Sequence, residues 1–310
     1  MTQPRRAILV FLDGVGIGAG DPAYNPFAAA HLPRIQALLD GRLPVAEQLD
    51  ADGRIVAETA VLAAADATLG IEGLPQSGTG QTTLLTGRNG AAEYGRHFGP
   101  WVPTPLRPML AAENLLRRAV DAGHTAAFAN AYPLSGIPAD PRIFRRPAGP
   151  MLAAQSVDAL TRGAVELAEG RAVASSITNE RWRERLGSDV PEVTPQDAGR
   201  TLARIAADAD VTLFAHYDTD YTGHRGALDG AVAALERVDA FLGALADALQ
   251  PDTLLVVSSD HGNVEDVRGG HTINPVPVFA AGAGREGFVN VHSLMDVAPA
   301  ILQALGIDGD

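Results

Sequence analysis

Apolar residues along this chain gather in short continuous runs separated by stretches of helical spacing. Residues 5–12 (Arg-Arg-Ala-Ile-Leu-Val-Phe-Leu) form the first run and stop abruptly at Asp13-Gly14. Such a run, without polar alternation, predicts a strand buried on both faces, as in the middle of a parallel sheet. Residues 125–131, 211–215, 253–258 and 276–280 repeat the pattern. Between them, helical periodicity predicts helices over 32–43, with Pro33 in the first turn, and over 109–122, ending at Gly123. Further helices are expected over 195–209 with Thr194 as N-cap, over 228–249 with Val232, Leu235, Val238, Phe241, Leu242, Leu245 and Leu249 on one stripe, and over 297–305. Strands alternating with helices predict an α/β fold: a doubly wound, mostly parallel sheet with helices on both faces.

Two regions read less clearly. Residues 45–75 show no dominant period. From 133 to 195 the pattern loosens, with prolines and arginines crowded over 137–150, a helix-like run over 156–168 and a strand-like run over 172–177. The expected organisation is a catalytic core of residues 1–132 and 195–310 with a small insertion or cap over 133–194.

Residues 76–88 (Gln-Ser-Gly-Thr-Gly-Gln-Thr-Thr-Leu-Leu-Thr-Gly-Arg) begin with small and hydroxyl-bearing residues and become a helix that Gly87 ends. A helix start exposes unpaired N–H groups and attracts anions, and a hydroxyl placed there can face a phosphate. Ser and Thr also cap helices with no further role. Ser77 and Thr79 are the two candidate nucleophiles.

Composition narrows the chemistry. The chain has 310 residues, a net charge of −13, and neither cysteine nor lysine. No cysteine excludes disulfides, thiolate catalysis and cysteine-based metal sites. Without lysine there is no Walker-type phosphate loop and no Schiff base. The acidic balance argues against a nucleic-acid partner. No apolar run is long enough for a membrane span, and the N-terminus lacks a signal-peptide pattern, so a cytoplasmic protein is expected.

Three apolar runs end in acidic or histidine residues: Asp13, then Asp220 with His224, then Asp260-His261, with His271 just beyond. In a doubly wound sheet such strand ends converge on one edge. Carboxylates and imidazoles gathered there call for metal ions, because unpaired charges would repel and desolvate one another. Oxygen and imidazole ligands suit manganese or zinc.

With Asp13-Gly14, the Ser77 stretch, Asp220-Tyr221-Thr222-Gly223-His224, Asp260-His261-Gly262-Asn263 and His271-Thr272-Ile273-Asn274-Pro275-Val276-Pro277, the chain resembles the alkaline phosphatase superfamily of metalloenzymes. The branch it resembles holds cofactor-independent phosphoglycerate mutase and phosphopentomutase. The resemblance implies one metal held by Asp13, Ser77, Asp260 and His261 and a second by Asp220, His224 and His271. It also implies a phosphoserine intermediate. Counting ten residues back from Gly87, as in the glycerate mutases, selects Ser77 over Thr79. Two departures stand out: Gln81 occupies a position where those mutases carry histidine, and the stretch available for a cap is short. The expected activity is therefore a two-metal phosphoester hydrolase, phosphatase or phosphodiesterase-like, acting on a small phosphorylated substrate. A phosphomutase on a small sugar phosphate or phosphoglycerate, and a catalytically silent metal-binding protein, are the alternatives. Asn263 and Arg88 are candidate substrate contacts.

Overall fold

The computed structural model describes residues 3–134 and 141–307. Its sheet contains β1 (Arg6–Leu12), β2 (Arg54–Val56), β3 (Ala60–Ala65), β4 (Ala126–Phe128), β5 (Val211–His216), β6 (Thr253–Ser258) and β7 (Val276–Gly282). The order across the sheet is β2-β3-β7-β6-β1-β5-β4. Strands β6, β1, β5 and β4 run parallel and make up the core, while β7, β3 and β2 extend it through antiparallel pairs.

The continuous apolar runs are explained by cover on both faces. Ala7, Leu9 and Phe11 of β1 pack into one core together with residues of the helices Ser77–Thr86, Arg107–Glu113, Leu115–Asp121, Gly149–Ser156 and Val297–Ala304. Ile8, Val10 and Leu12 point the other way, into a core shared with the helices Pro195–Ala207 and Leu228–Asp247. Alternate residues of one strand thus serve two cores, as a strand's period of two requires.

Several elements differ from the sequence expectation. The run over 109–122 is two helices, broken at Asn114, where the backbone is extended (φ −70°, ψ 159°). The Asn114 side chain caps the second helix through Arg117 N–H (3.0 Å) and returns a hydrogen bond to the Leu110 carbonyl (2.8 Å). Apolar spacing could not register the break, because Leu110, Leu115 and Leu116 all still reach the same core. The helix expected over 32–43 stops at Leu38, and Asp40 follows in the left-handed region (φ 53°). The helix-like run over 156–168 is divided between the end of Gly149–Ser156 and a short Ala164–Ala168 helix. The strand-like run over 172–177 makes only isolated bridges, Asn130 with Val173 and Ala174 with Ile177. Residues 135–140 of the proline-rich stretch lie outside the described residues.

Met151, Ala153 and Ala154 belong to the core beside the Ser77–Thr86 helix. Further along, Leu167, Ala172, Ala174, Trp182 and Val190 form a small cluster of their own with Ala131. Among the described residues no helix is long and apolar enough to cross a membrane.

Candidate metal centre and nucleophile

Each predicted site residue on the apolar runs lies beyond the carboxyl end of a core strand, Asp13, Asp260 and His261 in loops and Asp220 in the short helix Asp218–Gly223, which His224 caps. Asp13 follows β1, Asp220 and His224 follow β5, and Asp260 and His261 follow β6, with His271 in the loop that leads to β7. Parallel pairing in register (Phe11 with Ala215 and with Ser258) brings these ends to one edge.

Close approach of the loops depends on two glycines. Gly14 has φ +67°, and a Cβ there would lie 2.5 Å from Asp220 Oδ1. A Cβ on Gly80 would lie 2.5 Å from the Asp260 carbonyl. Any side chain at either position would push the acidic residues apart.

Two trios result. Asp13, Asp260 and His261 offer ligand atoms that all lie within 4.8 Å of one another, and so do Asp220, His224 and His271. In the first, which is fully buried, His261 Nε2 is 3.4 Å from Asp13 Oδ1 and 3.8 Å from Asp260 Oδ2. In the second, His224 Nε2 is 3.1 Å from His271 Nε2 and 3.4 Å from Asp220 Oδ2. The rings of His261 and His271 stack with centroids 3.9 Å apart, so the trios are neighbours. Asp13 Oδ1 is buried without a hydrogen-bond partner. An orphaned carboxylate oxygen is costly unless a cation completes it, and this oxygen and nitrogen donor set suits a divalent ion.

Ser77 is the first residue of the Ser77–Thr86 helix, and its Oγ lies 3.0 Å from His261 Nε2. Gly87 ends that helix in the left-handed conformation (φ 77°). Thr79 is placed differently. Its hydroxyl faces the Gln76 carbonyl (3.2 Å) and accepts from Phe98 N–H (3.2 Å), away from both trios.

The two proposed substrate contacts are placed differently, and Asn263 keeps an unpartnered Oδ1. Arg88 lies beyond the opposite end of the helix, paired with Glu93 (2.9 Å) and Glu113 (3.1 Å). Asn263 Nδ2 instead donates to Asp220 Oδ1 (2.6 Å) and orients that carboxylate.

Sequence reasoning missed Glu265. Its buried carboxylate accepts from Gly16 N–H (2.8 Å), Asn263 N–H (2.8 Å) and Asn274 Nδ2 (3.0 Å), and from the Thr272 hydroxyl. It therefore ties together the loop after Asp13, the loop after His261 and the loop after His271. Its neighbour Asp266 is an ordinary solvent-side carboxylate paired with Arg268, and nothing in one sequence separates the two.

Burial raises Asp13 well above the usual carboxylate range, and the charge of Asp260 adds to the effect. Burial likewise raises Asp260. For His261 burial acts downward, but the Asp260 and Asp13 carboxylates outweigh it and hold the imidazole at about 10. His271 is pushed down to about 4 by burial and by the charge on His261. The neighbouring carboxylates thus favour the protonated form of His261, and burial favours the neutral form of His271. An ion that takes His261 must displace that proton. Its apparent affinity is expected to rise about tenfold per pH unit for each displaced proton below the His261 value. Manganese titration calorimetry between pH 6.5 and 8.5, in buffers of different ionisation heat, should read a net release of protons by an ion on this trio. Release of none would remove His261 from the ligands.

A doubly wound sheet with two Asp/His trios and a serine at a helix start on one edge is the arrangement of an alkaline-phosphatase-like metalloenzyme. The chain belongs to the Metalloenzyme superfamily, whose family model matches residues 5–309. It is similar to the 2,3-bisphosphoglycerate-independent phosphoglycerate mutase of Natronomonas pharaonis, 35% identical over 152 residues, which are 45% of this chain and 29% of that protein. The chain thus spans less than a third of the length of this curated relative. Its fold is similar to alkaline phosphatase from the Antarctic bacterium TAB5 (TM-score 0.55, 14% identity, 99% and 100% of the two chains). It is also similar to Leishmania mexicana phosphoglycerate mutase (TM-score 0.50, 14% identity, 99% and 96%). The chain is accordingly a metalloenzyme of the kind that includes metal-dependent phosphotransferases and hydrolases. The family and the two trios point to divalent metal ions.

Proposed function

We propose that the chain is a two-metal phosphoester hydrolase, phosphatase or phosphodiesterase-like, acting through a phosphoserine on Ser77. The observation that carries this reading is the position of Ser77 Oγ, 3.0 Å from His261 and beside both trios. Asp13, Ser77, Asp260 and His261 would hold one ion, and Asp220, His224 and His271 the other. Two such ions, manganese or zinc, would neutralise the transferring phosphoryl group and favour the ionised serine hydroxyl.

The chain's own groups supply the rest. Ser77 attacks the phosphorus in line, so the Oγ–P bond forms as the bond to the leaving alcohol breaks. Thr79 N–H is donated to the Phe98 carbonyl (3.0 Å), so Ser77 and Gly78 supply the first-turn N–H groups for the phosphoryl oxygens. Asn263 keeps Asp220 aimed, and the His261–His271 stack fixes the separation of the two ligand sets. Water then attacks the phosphoserine and releases phosphate. Thr79 is the lesser candidate, since its hydroxyl is engaged with the Phe98 loop.

Residues 133–194 are proposed to cover the substrate. Gly149 donates to Gln81 on the nucleophile helix (2.8 Å), and Arg181 pairs with Asp218 (2.7 Å) and lies over the Tyr221 ring beside Asp220. The described part of the region therefore reaches the neighbours of Asp260 and Asp220 through Gln81 and Asp218. The proposed substrate is a small phosphorylated molecule.

The direct test is turnover of p-nitrophenyl phosphate and its diester with manganese or zinc, repeated after chelation. Activity is expected to vanish on chelation and return when metal is restored. Undiminished turnover without metal would sink the two-metal reading. A second reading, a phosphomutase, is favoured by the mutase relative matched over 152 residues. Phosphate released to water supports the hydrolase; a phosphate returned to another hydroxyl of the same substrate supports the mutase.

A further inference from the structure

Gln81 lies one helical turn after Ser77, and its side chain is buried between the nucleophile helix and the start of the Gly149–Ser156 helix. Its Nε2 donates to Asp260 Oδ2 (3.1 Å), and its Oε1 accepts from Gly149 N–H (2.8 Å). The second bond decides the first. A backbone N–H can only donate, so the carbonyl end of the amide must face Gly149, and the NH2 end is left facing the carboxylate. The contact is tight, since a Cβ on Gly149 would lie 2.9 Å from the Gln81 Cβ. The other oxygen of Asp260 receives the Gly14 N–H (3.3 Å). Asp260 is therefore fixed at both oxygens, whereas Asp13, across the same trio, has an oxygen with no hydrogen bond.

We infer that Gln81 is a positioning residue for the first metal site, holding the Asp260 carboxylate in its ligating orientation and coupling it to the docking of the Gly149–Ser156 helix. The inference rests on the two-metal reading above. Groups that orient a ligating carboxylate typically contribute ten- to hundredfold to metal affinity. The effect should fall on one ion, because among the described residues Gln81 has no hydrogen bond to the trio of Asp220, His224 and His271.

Two substitutions separate this role from simple packing. Gln81→Met keeps the unbranched shape and loses both hydrogen bonds. Gln81→His can keep both, because neutral imidazole carries a donor on one nitrogen and an acceptor on the other. The probe is manganese alone, titrated calorimetrically into metal-free protein at pH 8, with the thermal midpoint of each metal-free variant recorded. The expected result for Gln81→Met is one manganese equivalent weakened about ten- to hundredfold and the other unchanged. Gln81→His, which can keep both hydrogen bonds, should hold both equivalents near wild-type affinity at pH 8. Both equivalents at wild-type affinity in Gln81→Met, or equal weakening of both, would overturn the inference. If Gln81→Met does not fold, Gln81→Glu, which keeps an acceptor for Gly149 N–H and removes the donor to Asp260, is read in the same way: both equivalents at wild-type affinity would overturn the inference. Wild-type protein that takes up neither manganese nor zinc would fail earlier, removing the two-metal reading and this inference with it.

Discussion

Ser77→Ala is expected to lower kcat by about a thousandfold or more on any phosphoester the protein turns over, the scale seen when a covalent nucleophile is removed. The reasoning is local. Ser77 Oγ lies 3.0 Å from His261 at the first turn of its helix, and alanine leaves no atom there to form the phosphoenzyme. The helix itself should survive, because Gln76 already caps it through the backbone with no side-chain bond, and alanine is a good helix former. Manganese uptake should persist on the remaining carboxylates and histidines. The check is steady-state kinetics beside metal stoichiometry, with mass spectrometry for a trapped phosphoserine in the parent enzyme. Full turnover in the alanine variant would hand the nucleophile role elsewhere.

The second large effect belongs to Glu265→Ala. Four donors converge on that buried carboxylate, one from the loop after β1 and three from the connection between β6 and β7. Removing it strands the buried Gly16 and Asn263 N–H groups, at about 1–3 kcal/mol each, and leaves the half-buried Thr272 hydroxyl and Asn274 amide to water. A loss of about 2–6 kcal/mol in unfolding free energy is expected from urea denaturation, together with weakened metal uptake. Activity should fall although Glu265 belongs to neither ligand trio. A loss under about 1 kcal/mol would mean that the loops are held by their backbones alone.

The parts of the molecule legible in its sequence share one property. β1, β5 and β6 are covered on both faces, so they read as unbroken apolar runs, and each run ends where the chain leaves the sheet. The residues just past those ends had to be the ones facing the edge, which made Asp13, Asp220, Asp260 and their histidines visible. Elsewhere a local signal misled or was missing. β3, Ala60–Ala65, is Ala-Val-Leu-Ala-Ala-Ala, and alanine's helix propensity hides a strand that exists because β7 pairs with it. Asn114 divides a helix that apolar spacing made continuous. Arg88 looked available for substrate because its partners, Glu93 and Glu113, are joined to it only through the fold. Gln81 stood out as a departure from the mutase pattern, but its bond to Asp260 depends on Gly149, far away in the chain.

The pairing of β6 with β7 has a consequence for how the site behaves when empty. Ser258 and Val278 are partners in the central sheet, so the chain between them, which carries Asp260, His261, Asn263, Glu265 and His271, is a loop closed at its base. The entropy of closing that loop is met by backbone pairing and by burial of the two strands, independently of any ion. Small domains that fold only around their metal must meet that cost with the ion itself. Here the sheet closes the loop at its base, so metal uptake by the proposed ligands is expected to need no refolding step.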